Sequence, residues 1–441
     1  MDRVLFCYVN STRFDRTEHY VQCEWSAVLS HLQQSFTVAD LEYGLLGGPD
    51  RALVRALQDA PDVVIFWCAV HEAPATLRAA QFVRDVLPSA KIIVWGDGTL
   101  WMPQYFDREP FDVWVTSGDP ERVIADALSE MSHGRHPTHG VQHRLGGVLV
   151  QTRPGEFEDP DRWPLPPLGL IDGGSYDLVR QHRGKPGRDH SITVARGCGI
   201  RCEGCVDPVK SGLVDRRIPV PRLVDFLEQN ADAGVTFQLH GPTFGADRAW
   251  CDALAREMRV RRVVAPFKFV TLLKHAADAS FVAPLVEAGA VGCGVGVETL
   301  TRGPRGLRLL QKHTGEAVVD AASLTAREHG LKLTAYLQVG LAGQSRDDIR
   351  YTIERLRDRD FTLRPTGHTP FQRLGRLSIT ELDALDLYSW DRKSFWEPGC
   401  GLTRGELLSL VASPERFTMA YLGASARPPA GNQDRTLGER P

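Results

Sequence analysis

No apolar stretch in this 441-residue chain reaches the length of a membrane span, and Met1-Asp-Arg-Val-Leu-Phe6 runs into a strand-like segment without the basic and apolar regions of a signal peptide. A cytoplasmic protein with reduced thiols is therefore expected, with no membrane partner. An excess of one charge is also missing. The 52 Lys and Arg face 55 Asp and Glu, a net charge of −3, which gives no reason to expect a nucleic-acid partner. Cysteine, at 9 residues, is too sparse for the disulfide framework of a small secreted domain. No GxGxxG follows the first strand-like run, so a dinucleotide is not expected, and DxHxxG is absent. What remains, 42% hydrophobic and 24% charged, is the make-up of an ordinary globular chain with room for two or three domains.

Against that background the cysteines are unevenly spread. Cys198, Cys202 and Cys205 stand together in Ala195-Arg-Gly-Cys-Gly-Ile-Arg-Cys-Glu-Gly-Cys205, after the apolar run Ile192 to Ala195. They supply three soft thiolates and no local fourth. A structural zinc site wants four ligands in two close pairs. A four-iron cluster held by three cysteines instead keeps one iron open to an outside ligand. Cys7, Cys23, Cys68, Cys251, Cys293 and Cys400 are scattered and read as small buried apolar side chains.

The pattern predicts an α/β chain with two sheets. Strand-like runs at Val4 to Val9, Val63 to Trp67, Ile92 to Trp95 and Val113 to Thr116 alternate with helical spacing at Trp25 to Gln34, Pro74 to Leu87 and Pro120 to Ser132. This is the signature of an open, doubly wound, Rossmann-like parallel sheet over residues 1–133. Ligands of such sheets sit beyond the carboxyl ends of the strands, a rim that holds Asn10, Ser11 and Thr12, Val70 and His71, Gly96, Asp97 and Gly98, and Ser117 and Gly118. A competing reading has Trp67, Trp95 and Trp101 fill that cleft. Residues 134–190 form a Pro-rich linker. Over 191–375 strands at Thr236 to His240, Phe267 to Leu273, Val291 to Glu298, Leu331 to Val339 and Thr362 to Thr366 alternate with five helices. The helices span Pro221 to Asp232, Asp247 to Arg259, Ser280 to Ala288, Glu316 to His329 and Arg346 to Arg357. With the strand before the cysteines this makes about six βα units, too few for a closed eight-unit barrel. Residues 376–422 follow as a C-terminal region with a helix over Arg404 to Ser413, and 423–441 as a disordered tail.

Alternation along the second set of strands assigns faces. Gly292, Gly294 and Gly296 are in phase with Glu298, leaving room beside one carboxylate. Thr334, Tyr336 and Gln338 form a polar row on the next strand, and Gln238 shares a face with His240.

The CxxxCxxC spacing, the Gly-x-Glu strand and the stretch to Gln311-Lys-His-Thr-Gly-Glu316 resemble the radical S-adenosylmethionine (SAM) superfamily, and the N-terminal layout resembles its cobalamin-dependent, methyltransferase-type subfamily. The resemblance implies a partial (β/α)6 TIM-type barrel and a 4Fe-4S cluster on Cys198, Cys202 and Cys205. It implies that SAM binds that cluster, with Glu298 on its ribose. Gly340 in Val339-Gly-Leu-Ala-Gly343 would lie near the adenine, and Thr334 and Gln338 would line the cavity. Relatives hold the methionine amino group with an acid in a Gly-Gly-Glu-like turn; here His240-Gly-Pro-Thr243 lacks that acid, so His240, Gly241 and Thr243 are the candidates. Gly204 stands where many members carry an aromatic residue before the last cysteine. Tyr336 is the candidate catalytic residue. The rim residues would contact cobalamin, whose cobalt receives no histidine from a DxHxxG motif.

The resemblance further implies methylation of an unactivated carbon with an electron donor of flavodoxin or ferredoxin type; with no carrier-protein or peptide-leader module visible, a small secondary metabolite is the expected substrate, and a monomer is expected. Rearrangement or cyclisation within the same architecture is the alternative. A methylthiotransferase with a second cluster on Cys7, Cys23 and Cys68, and a non-catalytic cobalamin or iron-sulfur sensor, are further readings. The segment from Ile379 to Phe417, with Tyr388 and Trp390, is where relatives close the barrel mouth.

Overall fold

Residues 3–9, 36–41, 51–165, 188–200, 202, 205–231, 235–301, 315–387 and 400–412 are described by the computed structural model. The expected helix Trp25 to Gln34, the rim residues Asn10 to Thr12, Gly204, Tyr388, Trp390 and the tail 423–441 lie outside them. By contacts the chain divides into two units. The first comprises Met1–Val270, Glu287–Ala290 and Thr369–Arg392; the second comprises Thr271–Val286, Val291–His368 and Lys393–Pro441.

In the first unit β1 (Val4–Val9), β2 (Phe36–Leu41), β3 (Val63–Trp67), β4 (Lys91–Trp95) and β5 (Val113–Val115) are parallel, in the order β2-β1-β3-β4-β5. This is the doubly wound order whose switch point lies between β1 and β3. Their side chains alternate between two cores. Leu5, Cys7, Val64, Phe66, Ile92, Val94 and Trp114 join one, and Val4, Phe6, Val63, Ile65, Trp67, Ile93 and Trp95 the other. Both faces are thus covered, as a parallel sheet requires. The helices Ala73–Val86 and Pro120–Ser132 fall where periodicity predicts them.

The sheet does not end at β5. β6 (Val141–Leu145) pairs antiparallel with β5, and β7 (Val148–Gln151) pairs antiparallel with β6, so part of the expected linker is sheet. The hairpin turns on Gly146 and Gly147, at φ 57° and 82°, a pair of left-handed conformations that glycine adopts without strain.

Six further parallel strands, alternating with helices, form a sheet in the order β15-β14-β13-β12-β11-β8. They are β8 (Arg188–Thr193), β11 (Val235–His240), β12 (Phe267–Leu272), β13 (Ala290–Glu298), β14 (Lys332–Val339) and β15 (Thr362–Gly367). The short β9 (Ala195–Arg196) and β10 (Arg216–Arg217) pair antiparallel to each other. After the last strand, Leu374, Leu382 and Leu387 bury in the core of the doubly wound sheet beside Trp101 and Phe106. The segment expected over the barrel mouth thus begins by packing on that sheet. Farther on, the helix Arg404–Ala412 buries Leu407 and Leu410 in the second unit. Among the described residues no helix is long and apolar enough to cross a membrane.

Candidate cluster and SAM site

The cysteine loop is fixed at its neck. Residues Ala195–Arg196 enter it and Arg216–Arg217 leave it, paired as β9 and β10. Between Arg196 and Cys198 stands Gly197, at φ 87°, where a Cβ would lie 2.0 Å from the Val214 carbonyl oxygen. Only glycine fits that approach. The Cys198 amide then donates to the Gly212 carbonyl at 3.0 Å, and the Cys205 amide to the Cys202 carbonyl at 3.2 Å. Cys198, Cys202 and Cys205 are half-buried and in no disulfide, whereas Cys7, Cys68, Cys251 and Cys293 are buried. Burial, with the nearby Asp207 carboxylate, pushes the Cys205 thiol up to about 12. Among the described residues no three His, Cys, Asp or Glu side chains converge on a common metal position. The donor set nevertheless fits an iron-sulfur cluster: three accessible thiols on one loop, each able to lose its proton to a metal.

The expected amino-group turn lies beside the entry strand. The Val194 amide donates to the His240 carbonyl at 2.8 Å, and a Cβ on Gly241 would stand 2.8 Å from the Ala195 Cβ. His240 is exposed, with Nε2 3.2 Å from Ser191 Oγ on the same face as Gln238. Thr243 is buried and its carbonyl accepts from Arg217 Nη2 at 3.0 Å. His240, Gly241 and Thr243 are therefore brought to the chain that leads into Cys198.

In the second unit the polar row is as alternation assigns it. Thr334, Tyr336 and Gln338 are half-buried, while Leu333, Ala335, Leu337 and Val339 are buried. Gly294 pairs with Thr334 and Gly296 with Tyr336, so the glycine row and the polar row share a face. The register then slips by one residue, and Glu298 falls opposite Leu337. Simple alternation no longer assigns its direction. Glu298 is instead buried on left-handed backbone, φ 61°, a conformation that costs a residue with a Cβ about 1 kcal/mol or more. A bulge with such a conformation beside it is the usual device for re-aiming one side chain. The turn that follows is tied down: the Leu300 amide donates to Thr352 Oγ1 at 3.2 Å. The Gly340 and Leu341 amides both donate to Gln344 Oε1, at 2.9 and 3.3 Å, so these N–H groups are already engaged within the turn.

The rim of the doubly wound sheet is engaged with its own chain. A Cβ on Gly96, at φ 123°, would stand 2.6 Å from the Cys68 carbonyl oxygen, and the Gly98 amide donates to that oxygen at 3.0 Å. Val70 is buried, and buried His71 places Nε2 3.4 Å from Glu72 Oε1. Asp97 lies 3.8 Å from Lys210, on the short helix after Cys205. Ser117 Oγ accepts from the Gly155 amide at 2.9 Å, and Gly118 packs on Gly155. Trp67 and Trp95 lie in one core and Trp101 in the other. Trp95, last residue of β4, nevertheless keeps a buried indole N–H with no hydrogen-bond partner among the described residues. That orphan donor at the strand ends suits a ligand bearing acceptor groups.

A buried ionic group that sequence reasoning had not singled out joins rim to cluster loop. Asp119 Oδ2 accepts from Arg216 Nη1 at 2.7 Å, its Oδ1 lies 3.2 Å from Arg196 Nη1, and the Arg196 guanidinium forks onto Glu121. Burial alone would raise the Asp119 carboxyl, but the Arg216 hydrogen bonds, both arginine charges and the Glu158 amide outweigh it and hold it below the usual aspartate range. The only local signals were a Pro-Glu at a helix start and an arginine near a cysteine.

No protein-family model matches the chain, and no curated protein matches it significantly in sequence. Solved structures do. The radical S-adenosylmethionine methyltransferase TsrM from Kitasatospora setae, with tryptophan substrate and a SAM analogue bound, matches over 85% of this chain and 75% of its own at 16% identity and a TM-score of 0.67. A second TsrM structure, with cobalamin and a 4Fe-4S cluster bound, matches over 84% and 77% at a TM-score of 0.65. The cobalamin-dependent S-adenosylmethionine radical enzyme OxsB, with aqua-cobalamin bound, matches over 91% of this chain and 58% of its own at 15% identity and a TM-score of 0.65. The chain therefore has the fold of the cobalamin-dependent radical SAM enzymes.

Proposed function

We propose that this protein is a cobalamin-dependent radical SAM enzyme that methylates an unactivated carbon of a small metabolite, acting as a monomer with an external one-electron donor of flavodoxin or ferredoxin type. The observation that carries the reading is the cysteine loop: three half-buried thiols, in no disulfide, on a loop of fixed neck, in a chain with the fold of TsrM and OxsB. When bound, a 4Fe-4S cluster on Cys198, Cys202 and Cys205 supplies an open iron for SAM and the electron that cleaves it, and cobalamin carries the methyl group.

The chain's own residues bind and enclose. Glu298 accepts hydrogen bonds from the ribose hydroxyls of SAM, held to that task by its bulge and left-handed backbone. His240 and the carbonyls of Gly241 and Pro242 receive the methionine amino group in place of the missing acid, while the Thr243 carbonyl is held by Arg217 and the Ala246 amide. Thr334, Tyr336 and Gln338 line the cavity and orient the substrate, with Tyr336 nearest to a catalytic role. The indole N–H of Trp95 and the rim around it hold the corrinoid. Cys7 and Cys68 are wholly buried among apolar side chains, which speaks against the second cluster of a methylthiotransferase.

Anaerobic reconstitution with iron, sulfide and hydroxocobalamin, then addition of SAM and dithionite, tests the reading. About four irons and one corrinoid per chain, with release of 5′-deoxyadenosine, are expected. Zinc in place of iron, or no SAM cleavage, would refute it.

A further inference from the structure

The two strands at the neck of the cysteine loop carry like charges directly opposite each other. Arg196 of β9 is in register with Arg216 of β10, a cross-strand arrangement that is repulsive by itself. Asp119 resolves it by contacting both guanidinium groups, and Glu121 takes the remaining fork of Arg196. All four side chains are largely withdrawn from water. Asp119 is 1% exposed, Glu121 0% and Arg196 6%. Trp163 covers the group, with the Arg196 guanidinium 4.5 Å from its ring centroid and that of Arg216 at 5.3 Å, while Phe157 lies 4.6 Å from Arg216. Asp119 immediately precedes the helix Pro120–Ser132 and Glu121 lies in its first turn, both directly after the Ser117-Gly118 rim of β5.

Burial of such a group is a poor route to stability, because desolvation offsets the attraction and apolar replacements often do as well. Its worth lies in register. Arg196 is separated from Cys198 only by Gly197, whose backbone is pressed on Val214, and the Cys198 amide is fixed to Gly212. A shift of Arg196 therefore moves the first cysteine. Lys210, on the helix after the third cysteine, makes a second tie to Asp97 of the same rim.

We propose that Asp119, Glu121, Arg196 and Arg216 form a positioning device that sets the cluster loop in register with the rim of the doubly wound sheet, and so sets how SAM meets the open iron. This rests on the function proposed above and adds residues to it that touch neither SAM nor cluster.

The test is the reconstituted full chain with E121Q and with E121M/R196M, in which apolar side chains replace the buried pair. Iron content, the unfolding midpoint in urea, and the electron paramagnetic resonance spectrum of the dithionite-reduced cluster with and without SAM are measured. The expected result is iron content and a midpoint close to the unsubstituted protein for E121M/R196M, with the SAM-induced spectral change lost and SAM binding at least tenfold weaker. E121Q is expected to weaken SAM binding in the same direction. If E121M/R196M keeps the normal SAM response, the group is structural only and the proposal falls; it falls equally if both variants fail to hold iron, since the group then serves assembly rather than position. Absence of iron or of a SAM response from the unsubstituted protein would instead overturn the proposed function.

Discussion

Glu298 and Gly96 occupy unusual backbone for opposite reasons, and substitutions separate them. Glu298 holds φ 61° in spite of its Cβ, and its side chain is what that geometry presents. If Glu298 grips the ribose diol as proposed, E298Q keeps shape and backbone while weakening that grip. Equilibrium dialysis with labelled SAM is expected to show at least a tenfold rise in Kd, about 1.4 kcal/mol, with the unfolding midpoint little changed. Gly96 holds φ 123° because the Cys68 carbonyl fills the space of a side chain. G96A is therefore expected to destabilise the first unit by about 2 kcal/mol or more in urea titration, through both strain and overlap. Replacing any one of Cys198, Cys202 or Cys205 with alanine is expected to abolish the visible absorbance of the reconstituted cluster, while C251A, a buried cysteine apart from the loop, leaves it intact. Past the bulge the direction of Glu298 escapes simple alternation, while the clustering of the three cysteines was legible in sequence. The role of Gly96 was not, because a glycine pair after a strand reads alike whether it faces a ligand or its own backbone.

Among elements, β11 and β14 followed their alternation because each has one face packed on apolar side chains and one not, so period two is written in composition. β6 and β7 were missed. Val141-Gln-His-Arg-Leu145 carries polar side chains on an antiparallel extension, and the Gly146-Gly147 hairpin signal was hidden in a stretch rich in turn formers. The start of the helix Pro120–Ser132 was legible, but not that its acids serve Arg196 and Arg216 rather than the helix end alone. A pH dependence follows from that tie. Asp119 is held below its ordinary value, so its contribution is complete above about pH 4, where an unfolded aspartate is ionised, and is lost as pH falls through the lowered folded value. Unfolding midpoints between pH 7 and 3 are expected to fall more steeply below pH 4 in the unsubstituted protein than in D119N.

For the whole molecule, the fold is one that in TsrM and OxsB accompanies SAM and cobalamin, and the chemistry proposed here follows from the chain's own donor set within it. SAM and dithionite are expected to yield 5′-deoxyadenosine from the reconstituted chain, measured by chromatography, and C202A is expected to yield none. Analysis of added small-molecule substrates for a new methyl group then separates methylation from rearrangement or cyclisation. A corrinoid-dependent increase in turnover under the same conditions is the corresponding expectation for the rim.

By itself the sequence determined the two alternating α/β patterns, the three-thiol donor set and the face on which Thr334, Tyr336 and Gln338 lie, because each is a local matter of spacing and periodicity. Only the tertiary structure decided that Asp119 and Glu121 meet Arg196 and Arg216, that Glu298 lies past a bulge, and that Leu382 returns to the first sheet. The physical reason is range. Backbone periodicity is set by neighbours a few residues away, whereas the pairing of Glu121 with Arg196 joins groups 75 residues apart and exists only once both are buried in the same place.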